Sequence, residues 1–186
     1  MEAVWPGEFP VLNAGRVLLR RVSKKDSNGI YRCFSNPDTM RYLGTPLDDP
    51  LSISGIVEDY MEGYDEGCSI VWALENRKTG EFLGTAGFEN FSFLDLKAET
   101  GFTLLESHQG QGYMSEALKS IMEFGFETIM LNRIEATIHP DNAGALKLVE
   151  KLGFSLEGRL RKSVFFNGSF HDQLVFSVLK EDRSLS

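Results

Sequence analysis

Between a strand pattern that closes at Leu105 and a helix pattern that opens at Tyr113, the chain reads Glu106-Ser107-His108-Gln109-Gly110-Gln111-Gly112. Two glycines at such a junction let main-chain N–H groups come close to a ligand, because no Cβ stands in the way. The helix that follows leaves the N–H groups of its first turn unpaired, with a partial positive charge. A diphosphate suits that environment. A tight loop ahead of a helix uses the same residues, so the pattern by itself leaves both readings open. It excludes two other phosphate sites. No Lys-Ser or Lys-Thr follows the glycines, as a nucleoside triphosphate loop requires, and there is no G-x-G-x-x-G of a dinucleotide fold.

Periodicity on either side of this junction sets the architecture. Residues 15–22 read as a first strand, and Asp26 stands where it would cap a helix running toward the Asn36-Pro37 break. Ile53, Ile56, Val57, Tyr60, Met61 and Tyr64 recur at three and four, the spacing of an amphipathic helix over residues 53–64. The period then shortens to two. Residues 69–74, 82–91 and 98–105 read as strands, the first two joined by a turn at 76–80. A long helix runs from the glycine turn to about residue 130, with Met114, Ala117, Leu118, Ile121, Met122 and Phe126 on one side. A strand at 133–138, a helix at 143–152 closed by Gly153, and strands near 154–160 and 171–179 complete the chain. Antiparallel strands followed by two strand–helix units predict an α+β fold, a mixed sheet with helices on its faces.

At 186 residues the chain has the length of one domain, and 42% hydrophobic residues suffice for one core. The net charge of −8 argues against a nucleic-acid partner, whose phosphates need clustered Lys and Arg, and favours a basic amine or peptide. Cys33 and Cys68 share no close spacing, and with three histidines the chain shows no metal-binding cluster, so no metal is expected. No apolar run reaches the roughly 18–20 residues of a membrane span, and residues 1–20 lack the order of a signal peptide. A cytoplasmic protein with no membrane partner is the expectation.

Three segments, in order, carry a family resemblance. Gln109-Gly110-Gln111-Gly112-Tyr113 resembles the Q/R-x-x-G-x-G/A signature of the GCN5-related N-acetyltransferases (GNAT), with Met114 at the sixth position where Gly or Ala is usual. With Ser115-Glu116-Ala117-Leu118 it is similar to the RimJ/RimL-like branch that acetylates ribosomal-protein N-termini. Pro140-Asp141-Asn142-Ala143-Gly144-Ala145 and Glu150-Lys151-Leu152-Gly153-Phe154 resemble that family's next elements, and Glu157-Gly158-Arg159-Leu160-Arg161 with Asn167-Gly168 its end. The resemblance covers about residues 14–180 as an N-acetyltransferase domain, leaving residues 1–13 as an N-terminal extension and 181–186 as a frayed C-terminus. It implies a mostly antiparallel sheet, splayed at its centre between the strands at 98–105 and 133–138. It implies acetyl-CoA as cosubstrate, with the pantetheine arm along Phe102, Thr103 and Leu104. The diphosphate would lie on Gln109, Gly110, Gln111, Gly112, Tyr113, Met114 and Ser115. Asn142 would touch the arm from the other side, a role that can coexist with capping the helix at 143–152.

Acetyl transfer needs a neutral amine, a polarised thioester carbonyl and a proton for the departing thiolate. Where the family often has a Ser or Tyr donor this chain has Ala145 and Val149, and Val164 stands where the RimJ/RimL-like branch tends to carry a Glu. Glu99, on the strand leading to the glycine turn, is the candidate base; Tyr113, Ser115 and His139 are weaker ones. An α-amine with a pKa of about 7.7–8.0 is roughly a tenth neutral at pH 7, against about 0.04% for a Lys ε-amine near 10.4. A site with no strong base therefore favours the N-terminal α-amine of a protein or peptide. Two alternatives stay open: a small-molecule amine such as a polyamine, aminoglycoside or amino acid, or a non-catalytic acyl-CoA sensor. Asp48, Asp49, Glu58 and Asp59, if they face the cleft, would give a polycation more weight. The aromatic run Val164-Phe165-Phe166 points to a homodimer.

Overall fold

The computed structural model describes residues 4–182. Its centre is a sheet of eight strands in the order β1-β2-β3-β4-β5-β6-β8-β7. These are β1 (Leu12–Ala14), β2 (Val17–Arg21), β3 (Ile70–Asn76), β4 (Phe82–Ser92), β5 (Lys97–Leu104), β6 (Arg133–Ile138), β7 (Ser155–Phe166) and β8 (Ser169–Leu179). All neighbours are antiparallel except β5 and β6. The expected α+β sheet is the one found.

Alternation along the strands divides the apolar residues between two faces. On one face α4 (Tyr113–Glu127) and α5 (Ala143–Lys151) cover the larger core, which contains Leu19, Trp72, Phe88, Leu118, Ile121, Phe126 and Ile134. On the other, α1 (Ser27–Phe34), α2 (Pro37–Met40) and α3 (Ile53–Asp65) cover a smaller core of Val22, Ile30, Ile53, Val57, Val71 and Ala73. Residues 5–10 lie on the larger core. Trp5 and Phe9 pack against it, Tyr64 Oη donates to Pro6 O at 2.7 Å, and Trp72 Nε1 donates to Pro10 O at 2.7 Å.

Several expectations are corrected. The strand expected over residues 15–22 is β2, shortened to Val17–Arg21: Gly15, at φ +59°, turns the chain from β1, and β1 and β2 pair as a hairpin. Asp26 occupies the position before α1 but makes no capping bond to that helix; its carboxylate instead closes a capping box on the short turn at residues 24–26. Arg20 donates to both its oxygens, at 2.9 and 2.7 Å, and the Ser23 N–H donates to one of them. Asn36-Pro37 breaks one helix and starts the next, because Asn36 Oδ1 accepts the N–H groups of Asp38 and Thr39 and Pro37 sits at the first helical position. Helix α4 stops at Glu127, short of Met130, which has φ +67°. The closing strands at 154–160 and 171–179 are one long hairpin instead. Asn167 (φ +49°) and Gly168 (φ +75°) form its two-residue turn, and irregular pairing between Leu160 and Val164, with Lys162 at φ +50°, hid the second half of β7 from an alternation test. Of the expected frayed end, Asp182 accepts a hydrogen bond from the Leu179 N–H, and residues 183–186 lie outside the described residues.

Candidate functional site

Strand β5 pairs with β4 over most of its length, from Glu89↔Glu99 to Gly84↔Leu104, and β6 pairs with β8 throughout. Between β5 and β6 only Lys97↔Arg133, Ala98↔Ile134 and Glu99↔Glu135 pair. Beyond Glu99 the two strands part. The closed end is tied by ion pairs: Glu135 meets Lys97 at 3.6 Å and Arg133 at 2.7 Å. The open end is a cleft of about 770 Å³ that reaches from α2 on one face to α4 and α5 on the other. Glu99, Phe102, Thr103, Leu104, Gln109, Gly110, Met114 and Asn142, named from the sequence, all line it.

Gln111, Gly112, Tyr113 and Ser115 are not on its wall. They shape the turn. Gly110 and Gly112 hold φ of +72° and +86°, which favours glycine, and Gly112 is the residue from which α4 starts. A Cβ at Gly110 would meet no protein atom within 4 Å, so the surface there is open to a ligand. Gln109 Nε2 donates to Leu104 O at 3.1 Å, tying the turn to the end of β5. Arg16 was not seen from sequence. Its guanidinium donates to Gln111 O and Glu116 Oε1 at 2.8 and 2.6 Å and lies 4.4 Å from the centre of the Tyr113 ring. That hydrogen bonding holds the Glu116 carboxyl below the usual carboxylate range. Tyr113 thus packs beneath Arg16, away from the cleft. Residues about a hundred positions apart meet here, and no local pattern signals it. The open glycine turn and the unpaired first-turn N–H groups of α4 fit a diphosphate.

Across the cleft, Asn142 Oδ1 accepts the Ala145 N–H at 3.1 Å and caps α5 while the residue stays on the wall. Ala145 lines the cleft and Val149 is buried in the core, so neither offers a proton donor. His139 also lines it, with Nε2 3.3 Å from His171 Nδ1 and its ring against Tyr42.

Glu99 faces the α1/α3 side, where its carboxylate accepts from Asn90 Nδ2 at 3.0 Å. Directly opposite in the ladder is Glu89, a cleft residue that sequence reasoning missed. The surrounding protein raises the Glu89 carboxyl above the ordinary range, and the charge on Glu99 adds to that. Register counted from the turn between β4 and β5 would put Asn90 opposite Glu99, because an irregularity between Glu89 and Ser92 shifts the pairing by one residue. Asp38 and Asp141 are the other carboxylates of the cleft, and among the described residues no Lys or Arg lines it. Asp48, Asp49, Glu58 and Asp59 are not on the wall; Asp49 instead accepts the Leu51 N–H.

The pattern that defines the acetyltransferase (GNAT) domain matches residues 16–155 of this chain. The chain belongs to the GNAT acetyltransferase family. It is 34% identical to the uncharacterized N-acetyltransferase YoaA of Bacillus subtilis (strain 168) over 175 residues, 92% of this chain and 98% of YoaA. It is 24% identical to the spermidine N(1)-acetyltransferase of Escherichia coli (strain K12), over 90% of this chain and 88% of the relative. Its fold superposes on RimL, a ribosomal L7/L12 alpha-N-protein acetyltransferase solved in complex with coenzyme A. The TM-score is 0.83 at 19% identity, covering 91% of this chain and 98% of RimL. This GNAT chain is an N-acetyltransferase, as the sequence resemblance implied. No helix among the described residues is long and apolar enough to cross a membrane.

Proposed function

We propose that this GNAT enzyme moves an acetyl group from acetyl-CoA to a primary amine, with the N-terminal α-amine of a protein or peptide as acceptor. The observation that carries this reading is the Glu89/Glu99 pair on the α1/α3 side of a cleft that, among the described residues, no Lys or Arg lines. Two carboxylates facing each other across a ladder attract an ammonium group and then offer its proton a place to go. Acetyl-CoA supplies the thioester carbonyl that the amine attacks. Gly110, with the first turn of α4, receives its diphosphate; Phe102, Thr103 and Leu104 flank its arm; Asn142 faces that arm from α5. Main-chain N–H groups near Leu104 polarise the carbonyl. Glu99 takes the proton that the attacking nitrogen releases, directly or through a water. With Ala145 and Val149 where donors would stand, the departing thiolate draws its proton from solvent in the open cleft. An α-amine, already about a tenth neutral at pH 7, suits carboxylate bases better than a Lys side chain does.

A second reading has its own support. Four carboxylates on the wall, Asp38, Glu89, Glu99 and Asp141, would also suit a polyamine, and one relative is a spermidine acetyltransferase. Coenzyme A thiol release over a panel of α-amino peptides, spermidine and Nα-blocked lysine separates the readings: peptides should turn over fastest. In the same assay Glu99→Gln should lower kcat about ten- to hundred-fold with acetyl-CoA affinity unchanged. Unaltered kcat between pH 6.5 and 8 would remove Glu99 as the base.

A further inference from the structure

Glu89 borders two cavities. One is the main cleft; the other is a recess of about 160 Å³ on the α1/α3 side, with walls from Phe34, Leu43, Tyr60 and Val71. Its floor is made by β4 and β5, where Gly87 and Gly101 stand opposite each other in the ladder. A Cβ at Gly101 would meet no protein atom within 4 Å, so the missing side chain is what leaves the recess its room. The polar groups at its base are already occupied. Thr85 Oγ1 and Thr103 Oγ1 share a hydrogen bond of 2.9 Å, and the Tyr60 hydroxyl interacts with Thr85. What the recess offers a ligand is therefore apolar surface, with one carboxylate at its entrance.

We propose that this recess receives an apolar substituent on the carbon that bears the acceptor amine, so that the preferred acceptor begins with a residue such as Leu, Met or Phe. An ammonium group held at Glu89 stands where the recess opens into the cleft, and a substituent on the adjoining carbon, two bonds from the nitrogen, reaches the recess. A cavity of about 150 Å³ lined by aliphatic and aromatic side chains takes up benzene, so this volume suits a branched aliphatic or single-ring group. Hydrogen on that carbon, as in glycine or a linear polyamine, leaves the recess empty and forgoes its burial. The inference rests on the α-amine reading and adds specificity to it.

Peptides that differ only in their first residue, Gly, Ala, Leu or Phe, test it by thiol release at saturating acetyl-CoA. The Leu or Phe peptide should exceed the Gly peptide in kcat/KM by ten-fold or more, the lower end of the roughly 10- to 200-fold that a single methylene in a hydrophobic pocket can bring. In Gly101→Leu, which fills the recess, that ratio should fall to one or below. A substitution that merely disturbed the sheet would lower all the peptides alike and leave the ratio in place, and that result would overturn the proposal. So would equal turnover of all four peptides by the unaltered enzyme, which leaves the α-amine reading standing. Turnover of spermidine with none of the peptides would overturn the α-amine reading, and the proposal with it.

Discussion

Burial in the acceptor region raises the carboxyl of Glu89 above its ordinary range, and the charge on Glu99 adds to the shift. The raised Glu89 carboxyl holds a proton more tightly in the native state than in the unfolded chain, so the native state binds more protons between the ordinary value of 4.5 and the higher folded one. Stability then falls as pH rises through that window, and the cost is fully present above it. Glu89→Gln removes the cost, so the variant should melt above the parent protein at pH 7 and show no such gain below pH 4.5. Differential scanning calorimetry across that range checks the sign; a gain independent of pH would mean the charge is not its origin. Tyr60, in the recess wall, responds to the same surroundings: burial raises its hydroxyl pKa, and the charge of Glu89 reinforces the shift. Cys33, behind the recess and buried, has its thiol pushed up to about 11 by desolvation, which makes it unreactive at neutral pH.

At the scale of elements, the turn from β5 into α4 is the proposed seat of the cofactor's diphosphate. Two glycines occupy it, and the structure distinguishes them. A Cβ at Gly112 would stand 3.3 Å from Arg16 Nη2, so a carboxylate added there meets a cation beside the turn. At Gly110 nothing protein stands within 4 Å and the residue is on the cleft wall, so a new side chain there enters the ligand's space. Gly110→Glu should therefore abolish acetyl-CoA binding, by bulk and by repulsion of the diphosphate. Acetyl-CoA at about one hundred times its dissociation constant adds about 2.7 kcal/mol, roughly 5–11 °C for a domain of this size. The parent protein should gain that shift, and the variant, though strained at positive φ and lower in Tm on its own, should gain almost none. Equal shifts in the two proteins would place the diphosphate elsewhere.

For the molecule as a whole, the α1–α3 layer that carries Phe34, Leu43 and Tyr60 is anchored to the sheet partly through charge. Arg20 on β2 binds Asp26, which is 3% exposed, at 2.7 Å and Glu75 on β3 at 2.6 Å. Burial opposes ionisation of Asp26, yet the hydrogen bonds from Arg20 and Ser23 hold its carboxyl below the usual range. Removing the cation alone strands a buried carboxylate. Arg20→Met should cost about 3–5 kcal/mol, or roughly 6–20 °C in Tm, and Asp26→Leu added to it should recover part of that loss. Additive losses in a double-mutant cycle would show that the two side chains do not act as a pair. On the opposite edge, the run Val164-Phe165-Phe166 divides: Phe166 is buried against the His171 ring, while Phe165 and Phe170 pair on the surface at 60% and 63% exposure.

Local periodicity was enough to read strand β6 to the residue, helices α3 and α4 to within a turn, and the glycine junction, because each shows its pattern within a few residues of chain. The resemblance carried by Gln109–Tyr113, Asn142 and Glu150–Phe154 implied the splay, which the three-pair contact of β5 and β6 then displays. Asp26 shows where such reading stops: its spacing suits a cap, but a guanidinium six residues back in β2 takes both its oxygens. Arg16 against Gln111, and Glu89 opposite Glu99, follow from sheet order and hairpin register, quantities that no single segment contains. The recess depends on them most. Phe34, Leu43, Tyr60, Val71 and Gly101 come from five separate stretches of chain, and only their packing around an absent side chain makes a space. Sequence determined the chemistry available to this acetyltransferase; tertiary structure decided which carboxylates share a site and what fits beside them, because both depend on distances between residues far apart in the chain.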